Sequence, residues 1–248
     1  MNIHPWHVEA WKRMQASIAA DRLPHGILLT GAQGCGQEEF ATQLAAALLC
    51  DSTNGSGEAC GRCRACELFT AGTHPDYFSI SPTEDSSFIK IEQIRDLIGR
   101  LMLTSAQAAG RRVALIAPAD AMNRHAANSL LKTLEEPPLN TTLILVSHVP
   151  ANLPATIRSR CQQLDLTGEV AAKIEWLRSR VGDALPPQVA LQLAGGPLMA
   201  VKMQEQGLFA ARTQMLALAS PTGAQCRINR GGGALGHAGL AGRDQNFE

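Results

Sequence analysis

Aromatic residues are scarce in this chain, at 4% of 248 residues with a single tyrosine. Packing must therefore rest on Leu, Ile, Val and Ala rather than on large rings. A charge excess of either sign is missing too, since 22 Lys and Arg balance 22 Asp and Glu. That excludes a nucleic-acid binder held by bulk positive charge, and leaves such a role to a local patch or to partners. Long hydrophobic runs are absent as well. The longest, Leu44 to Cys50, falls far short of the roughly 18 residues a membrane helix needs. The opening MNIHPWHVEAWKRM is polar and amphipathic and lacks the apolar core of a secretory signal. These absences predict a cytoplasmic protein, long enough for one large domain and a smaller one. In a reducing compartment its seven cysteines are expected as thiols, metal ligands or catalytic groups rather than disulfides.

The pattern that remains is an alternation. Val8, Trp11, Met14 and Ile18 recur at helical spacing and predict a helix over 7–20. GILLTG (26–31) reads as a buried strand, GAQGCG (31–36) as a glycine-rich turn, and Gln37 to Cys50 as a helix. Further strands are predicted at 76–81, 113–117, 142–147 and 162–166. Ile91, Ile94, Ile98 and Leu101 mark a helix, and another runs from Asn123, a natural cap, to the stop at Pro137-Pro138. Strands alternating with helices imply an α/β fold with a mainly parallel sheet covered on both faces. After Gly168 only helices are predicted, at 170–181, 187–194 and 197–206. From Gly223 onward the chain holds seven glycines in 26 residues and is expected to be a disordered tail.

Cys60, Cys63 and Cys66 sit at x2 spacing, with Cys50 ten residues upstream at a helix end. Zinc takes four thiolates in a tetrahedron, and short loops of this spacing supply them. Arg62 and Arg64 between the ligands offset the negative charge. An iron–sulfur run would need a further cysteine at position 70, where Thr70 stands. Free thiols, with Cys50 in the core, are the plainer alternative. The zinc reading makes the site structural, because four thiolates leave no open position.

A working phosphate loop reads G-x-x-x-x-G-K-[S/T]. Here Gly31, Gly34 and Gly36 keep the turn, but Gln37 replaces the lysine and Glu38 the hydroxyl residue. Glu38 would sit beside the phosphates, and at ~4 Å with an effective dielectric near 20 that repulsion is roughly 4 kcal/mol. Strand 113–117 should end in an acidic pair for magnesium, but Ala117 and Pro118 occupy those positions and nearby Asp120 reads as a turn residue. No bound nucleotide is expected.

Two runs are more specific: ANSLLKTLEEPP (127–138) and LPATIRSRC (153–161). With LPHGILLTG (23–31), the four cysteines and GTHPDY (72–77), they resemble the AAA+ clamp-loader subunits of bacterial DNA polymerase III from Pro5 to about residue 208. The lost lysine and acidic pair side with the delta prime type rather than the ATP-hydrolysing gamma and tau types. The resemblance implies a RecA-like AAA+ domain over 1–167 with a zinc module at 50–66, and a helical lid over 168–207. An incomplete collar and glycine-rich tail would fill 208–248. Active members carry an arginine in the Gly-Gly motif of the lid, where this chain has Met199. The resemblance places a trans-acting arginine finger at Arg160, within Ser159-Arg160-Cys161, with Arg158 as a neighbouring polar contact. It also implies gamma/tau and delta partners within the polymerase III holoenzyme, with the sliding clamp and primer-template DNA reached through the complex. Two other readings stay open: an active ATPase with a divergent site, and a zinc-dependent nucleic-acid binder.

Overall fold

The computed structural model describes residues 3–53, 57–103, 111–181 and 186–209. They fall within one unit, Met1–Ala210, and a second unit, Ala211–Glu248, lies outside them. The expectations for the tail and for most of the collar segment therefore concern residues outside the described ones.

Helix α1 (Val8–Ala19) leads into strand β1 (Gly26–Thr30), the glycine loop and α2 (Gln37–Leu49). Then come α3 (Arg64–Thr70), β2 (Tyr77–Ile80), α4 (Ile91–Leu101), β3 (Arg112–Ile116) and α5 (Arg124–Glu135). Strand β4 (Thr141–Ser147), the single turn α6 (Ala155–Arg158) and β5 (Gln162–Asp165) complete the sheet. Three helices follow: α7 (Val170–Val181), α8 (Pro187–Ala194) and α9 (Pro197–Glu205). The five strands lie in the order β2-β3-β4-β1-β5, and every neighbouring pair is parallel. This is the α/β architecture expected of a RecA-like AAA+ sheet, with a cysteine module inserted and helices appended.

Alternation along the strands divides the core. Leu28, Ala114, Ile116, Leu143 and Leu145 face α4 and α5, where Ile94, Leu97, Leu130 and Leu134 cover them. Their neighbours Ile27, Leu29, Val113, Leu115, Ile144 and Val146 face α1 and α2, against Trp11, Met14, Phe40 and Leu44. A strand buried on both faces needs apolar residues in succession, which is why these segments read as unbroken hydrophobic runs. Each fully buried Leu or Ile contributes about 1.5–3 kcal/mol. A third cluster of Leu177, Ala190, Ala200 and Phe209 joins α7, α8 and α9.

Local chemistry sets the element ends. Asn123 caps α5, its side chain accepting from the Ala126 N–H at 2.8 Å. Gln93 reaches back to the Lys90 N–H at 2.9 Å and closes the start of α4. Gly195, at φ 78°, ends α8 in the left-handed conformation that glycine adopts without penalty. Gly196 and Pro197 then open α9 and bring it onto the glycine loop, where the Leu198 N–H donates to the Gly34 carbonyl at 2.9 Å.

Candidate functional site

The four predicted cysteines converge. Cys50 follows the last turn of α2, Cys60 lies in the loop, Cys63 caps α3 and Cys66 sits in its first turn. Their sulfurs all lie within 4.8 Å of one another. Cys50 Sγ is 3.8 Å from Cys63 Sγ, and Cys60 Sγ is 4.0 Å from Cys66 Sγ. A tetrahedron with 2.3 Å metal–sulfur arms has edges of about 3.8 Å, so the spacing fits a four-thiolate metal. Backbone amides already point at the sulfurs: Cys60 N–H at Cys50 Sγ, 3.3 Å, and Cys66 N–H at Cys63 Sγ, 3.4 Å. The Arg62 backbone N–H holds the Cys60 thiol down to about 6, while burial pushes Cys66 up to about 12. A coordinated cation would deprotonate all four outright. None of the six cysteines among the described residues is joined in a disulfide.

Sequence reading took Gln37 as a lost charge, and its contacts add to that. Gln37 is 1% exposed, and its Nε2 donates to the Ala32 carbonyl at 2.8 Å across the turn. The side chain in the lysine position thus folds back into the loop that precedes it. From the other side α9 closes in, since a Cβ on Gly34 would stand 2.7 Å from Met199 Cβ. Trp6 donates its indole N–H to the Cys35 carbonyl at 2.8 Å and stacks on His4, with centroids 4.7 Å apart. Trp176 meets that pair edge-on. Burial lowers His7 to about 4, so it is neutral at physiological pH and bonds the Leu166 carbonyl at 3.1 Å.

Glu38 and His148 form a pair that sequence reading missed. His148 Nε2 lies 3.6 Å from Glu38 Oε1, and the pairing raises the histidine above its ordinary value while lowering the carboxylate. The His148 backbone N–H donates to Asp120 Oδ1 at 3.0 Å, tying the carboxyl end of β4 to the turn after β3. A cleft of about 260 Å³ remains here, lined by Gln33, Glu38, Glu39, His148 and Lys202 among others. No sequence signal marks the pair, because its members are more than a hundred positions apart.

Ser159-Arg160-Cys161 lies elsewhere. Cys161 is buried, its Sγ and the Arg160 carbonyl both packing against Gly26 at the start of β1, and burial raises its thiol to about 11. The glycine loop begins at the other end of that strand. Five residues at about 3.3 Å each put roughly 17 Å between the two ends. Arg160 is half-exposed; its Nε donates to Glu135 Oε1 at 2.8 Å and its Nη1 to the Thr156 carbonyl at 3.0 Å. Ser159 is exposed, and its hydroxyl donates to the Thr156 carbonyl at 3.2 Å. Arg158 turns partly inward, with a buried Nε that finds no acceptor among the described residues.

A family model described as DNA polymerase III, delta subunit, matches residues 6–169. The DNA polymerase III delta prime subunit of Pseudomonas aeruginosa is 43% identical over 221 residues, covering 87% of this chain. The chain spans 65% of that relative's length. The delta prime subunit of Escherichia coli is 34% identical over 230 residues, 90% of this chain and 68% of that protein. A solved gamma subunit-related protein from Thermotoga maritima aligns at a TM-score of 0.49 with 19% identity, over 79% of this chain and 58% of its own.

Proposed function

The chain belongs to the delta prime family of DNA polymerase III subunits, and on that premise we propose that it is a clamp-loader subunit that hydrolyses no ATP itself and lends Arg160 to a neighbour that does. The observation that carries this reading is that Arg160 packs at the start of β1 while the chain's own glycine loop begins at its far end, a strand length of roughly 17 Å away. An arginine side chain cannot cross that distance. Any phosphate it serves must come from another subunit.

The loop itself supports the first half of the proposal. Gln37 spends its amide on the Ala32 carbonyl, Glu38 carries negative charge, and α9 docks with Met199 where active relatives place a cation. Lys202 and His148 also line this cleft, but Glu38 and Glu39 oppose them, so the site offers no net positive charge to a triphosphate. Arg160 acts instead across an interface, donating N–H groups to phosphoryl oxygens as their charge develops. Such a finger is worth roughly 10³–10⁵ in rate, or about 4–7 kcal/mol. The gamma or tau type supplies the nucleotide, and with delta the ring opens the sliding clamp and loads it on primed DNA. The four cysteines hold a structural zinc that fixes the turn between α2 and α3. Among the described residues no helix is long and apolar enough to cross a membrane, which suits a cytoplasmic replication protein.

Isothermal titration of the chain with Mg·ATP tests the loop directly. We expect no saturable heat, and a micromolar dissociation constant would return the chain to the active ATPases.

A further inference from the structure

Arg160 does not wave free at the surface. Its Nε and Nη2 both meet Glu135 Oε1, at 2.8 Å and 2.5 Å, and its Nη1 donates to the Thr156 carbonyl at 3.0 Å. Ser159 Oγ stands at the limit of bonding, 3.5 Å from the same Nη1. A guanidinium has five N–H donors in a planar fork. Glu135 takes the edge formed by Nε and Nη2, and Thr156 takes Nη1 on the other side, which leaves the second N–H of Nη2 without an acceptor among the described residues. Arg160 is therefore held but not used up.

Both anchors stand on buried supports. Glu135 is the last residue of α5, and its neighbour Leu134 is 1% exposed. Thr156 belongs to α6, pinned by Ile157 at 0%. The carbonyl end of α5 adds a partial negative charge beside the guanidinium. A carboxylate and a helix end thus fix a long, flexible side chain in one orientation before any phosphate arrives.

We propose that Glu135 is the positioning residue for Arg160, holding its guanidinium so that the unengaged N–H of Nη2 faces a neighbouring subunit's phosphate. The proposal rests on the reading of Arg160 as a trans-acting finger. Without the carboxylate the arginine would sample its rotamers and have to be ordered in each catalytic event, a loss of about tenfold in turnover. Phosphate binding by the neighbour does not involve Glu135, so its KM for ATP stays put.

The test uses the loader reconstituted with this chain carrying Glu135→Gln, which keeps the shape and removes the charge. Clamp-stimulated kcat should fall about tenfold at unchanged KM, Glu135→Asp should recover part of it, and adding Glu135→Gln to Arg160→Ala should change nothing further. If Arg160→Ala slows hydrolysis while Glu135→Gln keeps the wild-type kcat, the positioning role is overturned and the finger stands. If Arg160→Ala itself has no effect, both fall. A second measurement needs no assembly. In the isolated chain the Arg160 Nε–H should give a distinct, slowly exchanging proton resonance that Glu135→Gln abolishes, and an unchanged resonance would equally overturn the proposal.

Discussion

At the scale of single residues, the loop end of the sheet is a set of small, exact accommodations. Gly196 is one: a Cβ there would lie 2.5 Å from the Gln33 carbonyl oxygen and from the Gly34 carbonyl carbon, both backbone. Gly196→Ala should cost about 1–3 kcal/mol, because rigid backbone has to move, and thermal unfolding would register it. Gly195→Ala meets nothing within 4 Å but strains a left-handed backbone, so its loss should be smaller. The Glu38–His148 pair gives a pH signature. Because folding raises the histidine's pKa and lowers the carboxylate's, the pair's contribution is fully present between about 4.5 and about 6.5 and fades below that as Glu38 protonates. It is lost as pH rises through the higher folded value. Glu38 is half-exposed, so the contribution stays under about 1 kcal/mol. Proton NMR should find His148 titrating above an ordinary histidine and returning toward normal in Glu38→Gln. A histidine that titrates identically in both proteins would remove the pair from the account.

Among the elements, the cysteine module carries the sharpest prediction. Protein purified without added metal should hold about one zinc per chain, and chelation should release it and expose four titratable thiols. Iron, or no metal with those thiols free from the start, would contradict the sulfur geometry as read here. The module also marks where sequence reading ended. The spacing of Cys60, Cys63 and Cys66 announced the cysteine cluster, but α3, which begins among them, and the single turn of α6 are too short to print a helical period. Longer elements were legible almost to the residue: α7, α8 and α9 match the predicted helices to within one position at either end. So were the double-buried strands, whose unbroken apolar runs follow from cover on both faces. The candidate site was legible only as types of residue. That Gln37 folds back into its own loop, that Trp6 seals it and that Glu135 holds Arg160 depend on contacts no local pattern encodes.

For the whole molecule, the parallel sheet separates two chemistries. Its carboxyl end carries a glycine loop filled by its own side chains, and its amino end carries an anchored arginine with one unengaged N–H. On the proposed reading, one chain would supply half of an active site and borrow the rest from a neighbour. Removing Arg160 should leave the zinc content and fold of the isolated chain unchanged, since a partly exposed arginine adds little to stability. A lysine at that position should restore little of the function, because it lacks the planar fork. The most direct test of the central claim is the clamp-stimulated ATPase rate of a loader assembled with wild-type or Arg160→Ala chain. The account predicts slower hydrolysis at one neighbouring site, by roughly 10³-fold or more there, with no nucleotide on this chain in either case. Equal rates in the two loaders would contradict it.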